Sequence, residues 1–177
     1  MAQSITERMI GAAFLDVNTY EEVEADETAT GQAAVVVVMV AAAQAIGSAG
    51  SGGLGMVMAA IMAVIGWGIW AAVTYVVGDK IFGGTATWGE LLRTLGFAQA
   101  PGLLGILAIL PLVGGLTSLV VAVWTLITGV VAIRQALDFS TGKAILTALI
   151  SMVVIIGFML TMATLFGAAV VGGSALL

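Results

Sequence analysis

The chain has 177 residues, of which 61% are hydrophobic and only 8% charged, with a mean hydropathy of +1.19. A soluble domain carries about 25% charged residues, so a water-facing surface cannot be assembled here and the solvent for most of the chain must be lipid. The absence of cysteine and histidine excludes disulfides, zinc fingers, His-ligated haem and any catalytic triad or nucleophile built on those residues.

The net charge of −5 is unevenly placed. Residues 1–30 carry Glu7, Asp16, Glu21, Glu22, Glu24, Asp26 and Glu27 against Arg8, whereas the rest carries Asp79, Glu90 and Asp138 against Lys80, Arg93, Arg134 and Lys143. The acidity therefore belongs to the N-terminal segment, and no basic footprint for nucleic acid exists. That segment lacks the short apolar core behind a basic start that marks a secretory signal.

Ser4 and Glu7 have the spacing of a capping box, and Ile5, Met9, Ile10, Ala13 and Phe14 follow on one face at helical spacing. This predicts a short amphipathic helix, lying in the membrane interface or packed on the loops of its own bundle. Arg8 is too far from the first apolar run to weigh on topology. Residues 16–30 read as an acidic, hydrated connector with one further helical turn around Thr19–Glu24.

A membrane-spanning helix needs about 20 mainly apolar residues. The first such run is Gln32–Ala49, broken by the glycine- and serine-rich stretch from Gly47 to Gly53. The second is Leu54–Val77, ending at Gly78-Asp79-Lys80. The third runs from about Glu90 to Leu110, where Pro111 biases its predecessor away from helical geometry. After a reversal at Gly114-Gly115, Leu116–Ile133 is the fourth. The fifth runs from about Thr141 to Val171, with Ser140 or Thr141 as its cap. The expected fold is all-α: a polytopic membrane bundle of five transmembrane helices over residues 31–177, preceded by an acidic cytoplasmic tail, residues 1–30, with its short amphipathic helix.

Every charged residue falls on one side of this five-span arrangement. Lys80 and Arg93 flank the second-to-third connection, and Arg134 and Lys143 the fourth-to-fifth, while the opposite loops carry no Lys or Arg. The positive-inside rule places that side, with the N-terminus, in the cytoplasm and the C-terminus outside.

Intramembrane ionisable groups mark function by default, and none lies near the middle of a span. A proton relay through a buried side chain is therefore not expected. Lys80, Glu90, Arg93, Arg134, Asp138 and Lys143 form the candidate cytoplasmic interaction face; Glu90 with Arg93, and Arg134 with Asp138, have the spacing to pair on one helix face. These charges set topology and solvate loops, or dock a partner or anionic headgroups. The candidate intramembrane polar positions are Gln99, Thr125 and Thr128. Small-residue pairs such as Ala41/Ala45, Gly68/Ala72 and Ala98/Gly102 allow close helix approach. Trp67, Trp70 and Trp124 are packing or lipid-facing residues inside spans, and Trp88 suits an interfacial anchor.

From Tyr75 to Ala144 the chain resembles the Ypt-interacting protein (Yip) family of small polytopic membrane proteins. The resemblance is carried by Tyr75-Val76-Val77-Gly78 with Phe82-Gly83-Gly84, by Leu92 to Ala98 with Pro101, by Trp124, and by Ala132-Ile133-Arg134-Gln135-Ala136-Leu137 with Ser140 to Ala144. Arg8 to Gly11, Phe14 and Tyr20 to Val23 look like the lead-in of bacterial members, except that Val17 stands near where those members commonly have proline. The resemblance implies five spans, a cytoplasmic N-terminus and a short exposed C-terminus, and the expected location is the bacterial inner membrane. Eukaryotic relatives bind Rab-type GTPases and one another in membrane traffic; this chain has the short loops and minimal tail of bacterial members.

The expected role is a non-enzymatic scaffold or accessory subunit that binds membrane lipids and other integral membrane proteins or itself, without a cofactor. The competing readings are a small-solute or lipid transporter, in which Gln99, Pro101, Gly102 and Gly105 open the third span, and an apolar binder of a lipid, quinone or pigment. A transporter predicts a continuous polar cavity near Gln99, Thr125 and Thr128. A scaffold predicts a dry bundle with an apolar outer groove.

Overall fold

A computed structural model of the chain describes residues 3–47, 53–110 and 112–174. The expected break from Ser48 to Gly52, and Pro111, lie outside them. Among the described residues every regular element is helical.

α1 (Ile5–Ala13) opens with the expected capping box: the Ser4 amide donates to Glu7 Oε2 at 2.7 Å, and the Glu7 amide to Ser4 Oγ at 3.3 Å. It ends in a Schellman turn, with the Leu15 amide donating to Ala12 O and the Asp16 amide to Gly11 O. This turn requires a left-handed residue, usually glycine, and Leu15 supplies it at φ 65. Asp16 then caps α2 (Val17–Ala25) by accepting from the Asn18 amide and the Thr19 hydroxyl. The two helices form an antiparallel hairpin in which Gly11 leaves room for the Thr19 side chain.

The hairpin is docked along the bundle. Tyr20 donates to Ala12 O at 2.9 Å and to Thr128 O at 3.3 Å, and the Trp124 indole N–H donates to Ala13 O at 2.7 Å. Ala12, Tyr20 and Val23 are fully buried and share one core with the long helices. The expected hydrated connector with one helical turn is thus a nine-residue docked helix, because burying Thr19, Tyr20 and Val23 offsets the acidity of its outer face. Arg8 and Ala12 are the fully buried residues of α1; of the expected apolar face Ile5, Met9 and Ala13 pack partly buried against the core, while Ile10 and Phe14 are exposed.

Four segments among the described residues are long and apolar enough to cross a membrane: Ala29–Gly47, Ile61–Ile81, Trp88–Ile109 and Gly114–Ala136; Thr141–Gly157 is a shorter apolar stretch. α3 (Ala29–Gly47) is the first. α4 (Gly53–Tyr75) does not stop at Gly78 but continues as a wider π-helical turn, Val76–Ile81. Gly78 marks a close approach rather than an end, since a Cβ there would collide with the Leu137 side chain.

The third segment begins as α5 (Trp88–Phe97), capped by a second capping box between Thr87 and Glu90. It breaks at Ala98-Gln99, because Pro101 has no N–H to continue the ladder and its ring opposes the Phe97 carbonyl. The chain resumes as a 3₁₀ helix over Ala100–Ile109 and ends at Leu110 in extended geometry (ψ 117). Runs of 3₁₀ beyond 3–4 residues are uncommon. Here three residues per turn place Gly102, Gly105 and Ala108 in one row. Val40 and Gln44 of α3 lie against Gly102, Gln44 against Gly105, and Gly47 against Gly105 and Ala108.

α6 (Gly114–Ala136) ends in another Schellman turn, with Asp138 left-handed at φ 53, the Asp138 amide donating to Gln135 O and the Phe139 amide to Arg134 O. α7 (Thr141–Ser174) follows, with Ser140 at its N-terminal boundary. Gly96 fixes the meeting of three helices: its hydrogen would be replaced, in alanine, by a Cβ 2.7 Å from Ala33 Cβ and 3.3 Å from the Trp67 ring. Trp67 itself donates to Leu92 O at 2.9 Å.

Candidate functional site

The charged residues gather at one end of the bundle, and the structure arranges them differently from the pairs expected along each helix. Arg93, 6% exposed, turns away from Glu90 and donates through Nε to the carbonyls of Val23 and Glu24 at 3.1 Å each, with Nη2 also donating to Glu24 O. A cation on the last carbonyls of a helix satisfies free acceptors and opposes the negative end of its dipole. Arg93 is thus the C-terminal cap of α2. Glu90 is occupied by the Thr87 amide in its capping box.

Arg134 and Asp138 do not meet either. The Schellman turn carries Asp138 off the helix, where its carboxylate accepts from the Thr85 hydroxyl at 2.8 Å. Arg134 is exposed and makes no ion pair among the described residues. Lys80 pairs with Asp79 at 2.6 Å and lies 5.0 Å from the Tyr75 ring centre. Lys143 donates to Phe82 O at 3.3 Å and sits 5.2 Å from the Phe139 ring centre.

With Arg93 turned inward, four carboxylates are left around one recess. Glu21, Glu24, Glu90 and Asp138, with Ala25 and Gln135, line a polar pocket of about 270 Å³ between α2, α5 and the end of α6. The Glu24 carboxyl is pushed up to about 7, first by burial and then by Glu90 and Asp138, with Arg93 pulling the other way. Among the described residues no three acids converge closely enough to hold a metal ion.

Arg8 is the residue that distance along the sequence hid. It is 1% exposed, donating to Glu22 Oε1 at 2.9 Å, to Asp26 Oδ2 at 2.6 Å and to the Gln32 amide oxygen of α3 at 3.0 Å. It therefore ties both helices of the hairpin to the first turn of the first span. The signal available was the spacing of Glu22 and Asp26, four apart on one face of a helix beside the lone base of the segment.

The intramembrane polar candidates divide. Gln99 and Thr125 line a cavity of about 1040 Å³ between α3, α4, the 3₁₀ stretch, α6 and α7, together with Gln44, Ser118, Trp67 and Trp70. Thr128 has a structural place instead: fully buried, its hydroxyl donates to the Ala98 carbonyl at 2.6 Å, the acceptor exposed by the break in the third segment. Among the described residues the rest of the cavity wall is apolar, without a continuous polar path. Of the polar lining residues, Ser118 donates its hydroxyl to Gly114 O at 2.9 Å, while the Thr125 hydroxyl is buried without a partner.

A model of one protein family, the Yip1 domain, matches residues 16–164. No curated protein and no solved structure matches the chain. The matched range begins at the cap of α2 and runs through every span-length segment into α7.

Proposed function

The chain belongs to the Yip1-domain family, and we propose that within it the protein is a non-enzymatic scaffold or accessory subunit of a membrane-protein assembly. In this reading α3, α4, the broken third segment, α6 and α7 are five spans, as in the compact bacterial-type members. The charged end, with Lys80, Arg93, Arg134 and Lys143, faces the cytoplasm by the positive-inside rule, and the location is the bacterial inner membrane. The α1–α2 hairpin belongs to the membrane domain, its exposed Ile10, Phe14 and Leu15 turned to lipid.

The observation that carries this reading is the acidic recess at the charged end. Four carboxylates line it while the nearby Arg93 guanidinium is committed to backbone carbonyls, which leaves a negative surface suited to a basic segment of a partner subunit. The test is co-purification in mild detergent of the wild type against a Glu21→Gln/Asp138→Asn variant, both changes preserving size. Loss of the same co-purifying membrane protein at raised salt and in the variant is the expected result. A wild type isolated without any associated protein, or a partner indifferent to both, would refute the assignment.

A further inference from the structure

The cavity between the spans has the shape and lining of a ligand site. Its volume of about 1040 Å³ is at the upper end of the roughly 300–1,000 Å³ typical of small-molecule pockets. Met62 of α4, Val123 and Leu126 of α6, and Met152 and Ile156 of α7 line it, and each is 43–59% exposed. The cavity is thus open sideways, between helices whose outer faces are apolar, and what enters it comes from the lipid phase. Among the described residues no charged side chain lines it.

The polar residues on its lining are few: Gln44, Gln99, Ser118 and Thr125. Thr128 holds the Ala98 carbonyl; Gln99, the next residue, and Thr125, one turn before Thr128 on α6, both line the cavity. Thr125 Oγ1 is buried without a hydrogen-bond partner. Among the described residues the side-chain amides of Gln99 and Gln44 have none either, and Gln44 is held over Gly102 and Gly105. A buried hydroxyl left unsatisfied costs free energy, and a ligand oxygen at Thr125 removes that cost; the Gln99 amide is half-buried and that of Gln44 exposed, so these two are open to a ligand without such a cost. The Trp70 ring fits over Gly129, 3.2 Å from where a Cβ would stand, and Trp67 adds a second indole to the wall.

We propose that this cavity binds a long-chain, uncharged lipid moiety whose carbonyl oxygen accepts from Gln99 and Thr125. Its hydrocarbon chain lies against Trp67, Trp70 and the aliphatic faces of α6 and α7. An ester-linked acyl chain of a glycerophospholipid and an isoprenoid quinone share this chemistry.

The experiment reconstitutes the full chain in vesicles of dioleoylphosphatidylcholine containing a few mole per cent of an isoprenoid quinone. The protein is extracted in mild detergent and the adduct retained after stepwise removal of loosely held lipid is read by native mass spectrometry. A retained phospholipid mass identifies one source and a retained quinone mass the other; either supports the site. Ala122→Phe, which places a ring in the cavity, and the near-isosteric pair Gln99→Leu/Thr125→Val should each lower retention about tenfold, a change of about 1.4 kcal/mol. The second variant removes donors without adding bulk, so it decides the matter if the first does not fold. Equal retention in wild type and folded variants overturns the proposal, as does a wild type that carries no adduct, including one that dimerises without lipid.

Discussion

The hydroxyl of Thr128 donates to the carbonyl of Ala98 across 2.6 Å at the point where the third segment loses its helical ladder. Backbone acceptors freed by a break need a partner in a medium without water, and α6 supplies it. The same residue's own carbonyl accepts from Tyr20, so one turn of α6 joins the break to the N-terminal hairpin.

Thr128→Val keeps the shape and removes the donor. The Ala98 carbonyl then stays buried without it, which should cost about 1–3 kcal/mol, whereas Thr128→Ser should stay close to wild type. Unfolding in mixed micelles by titrated denaturing detergent gives both numbers.

The docking of α2 should depend on pH through Glu24. Its carboxyl stands at about 7 in the folded protein against an ordinary value of 4.5, raised by burial first and then by Glu90, Asp138 and Glu21, with Arg93 opposing. A raised folded-state pKa favours the protonated form, so this contribution is complete below pH 4.5 and is lost as pH rises through 7. Amide exchange of Val17–Ala25, corrected for intrinsic rate, should quicken between pH 6 and pH 8. Glu24→Gln should remove that step.

Arg8 should behave as a latch. Arg8→Ala leaves the Glu22 and Asp26 carboxylates and the Gln32 amide without their shared partner, and should raise proteolytic cleavage within residues 4–28 about tenfold by increasing the open population. Glu22→Gln should do less, because Asp26 still engages the guanidinium. The Thr28 hydroxyl first, and Arg8 second, hold the Asp26 carboxyl down to about 2. Since a depressed folded-state pKa stabilises above the unfolded value, this part of the latch persists at neutral pH and fades as pH falls through about 2.

Leu15 carries the strain of the hairpin turn. A non-glycine residue in the left-handed region costs roughly 1–2 kcal/mol, and Leu15 holds φ 65 within a complete Schellman turn. Leu15→Gly should therefore stabilise the hairpin by about 1 kcal/mol, and the β-branched Leu15→Val should destabilise it. Protection of the Leu15 and Asp16 amides from exchange would separate the two.

Local features were legible in the sequence because their causes are local. The Ser4–Glu7 box, the stop at Leu110 before Pro111, and the segregation of charge each depend on residues within a few positions of one another. What escaped depends on partners far along the chain. Nothing near Tyr20 or Ala13 points to Thr128 and Trp124, so an acidic segment read as hydrated when it is docked. Arg93 and Glu90 stand at the helical contact distance of three residues, yet the unfilled carbonyls at the end of α2 are the better acceptors. Gly78 before Asp79-Lys80 has the sequence signature of a stop, although its lack of a side chain serves the approach of Leu137. Of the candidate intramembrane positions, Gln99 and Thr125 could be picked out as polar residues in apolar runs, but the bond that takes Thr128 away from the cavity needed the break in the third segment to be seen in three dimensions.

The 3₁₀ stretch makes the contact between α3 and the third segment a matter of counting in threes. Gly102, Gly105 and Ala108 line up only because each turn holds three residues; on an α-helix the same positions would drift around the axis by about 60° at every step. Adding one residue between Gly105 and Ala108 would swing everything downstream through about 120° and present a bulky neighbour to Gly47, while adding three would restore the row. This interface therefore tolerates changes of length only in whole turns, a reading frame written in backbone geometry.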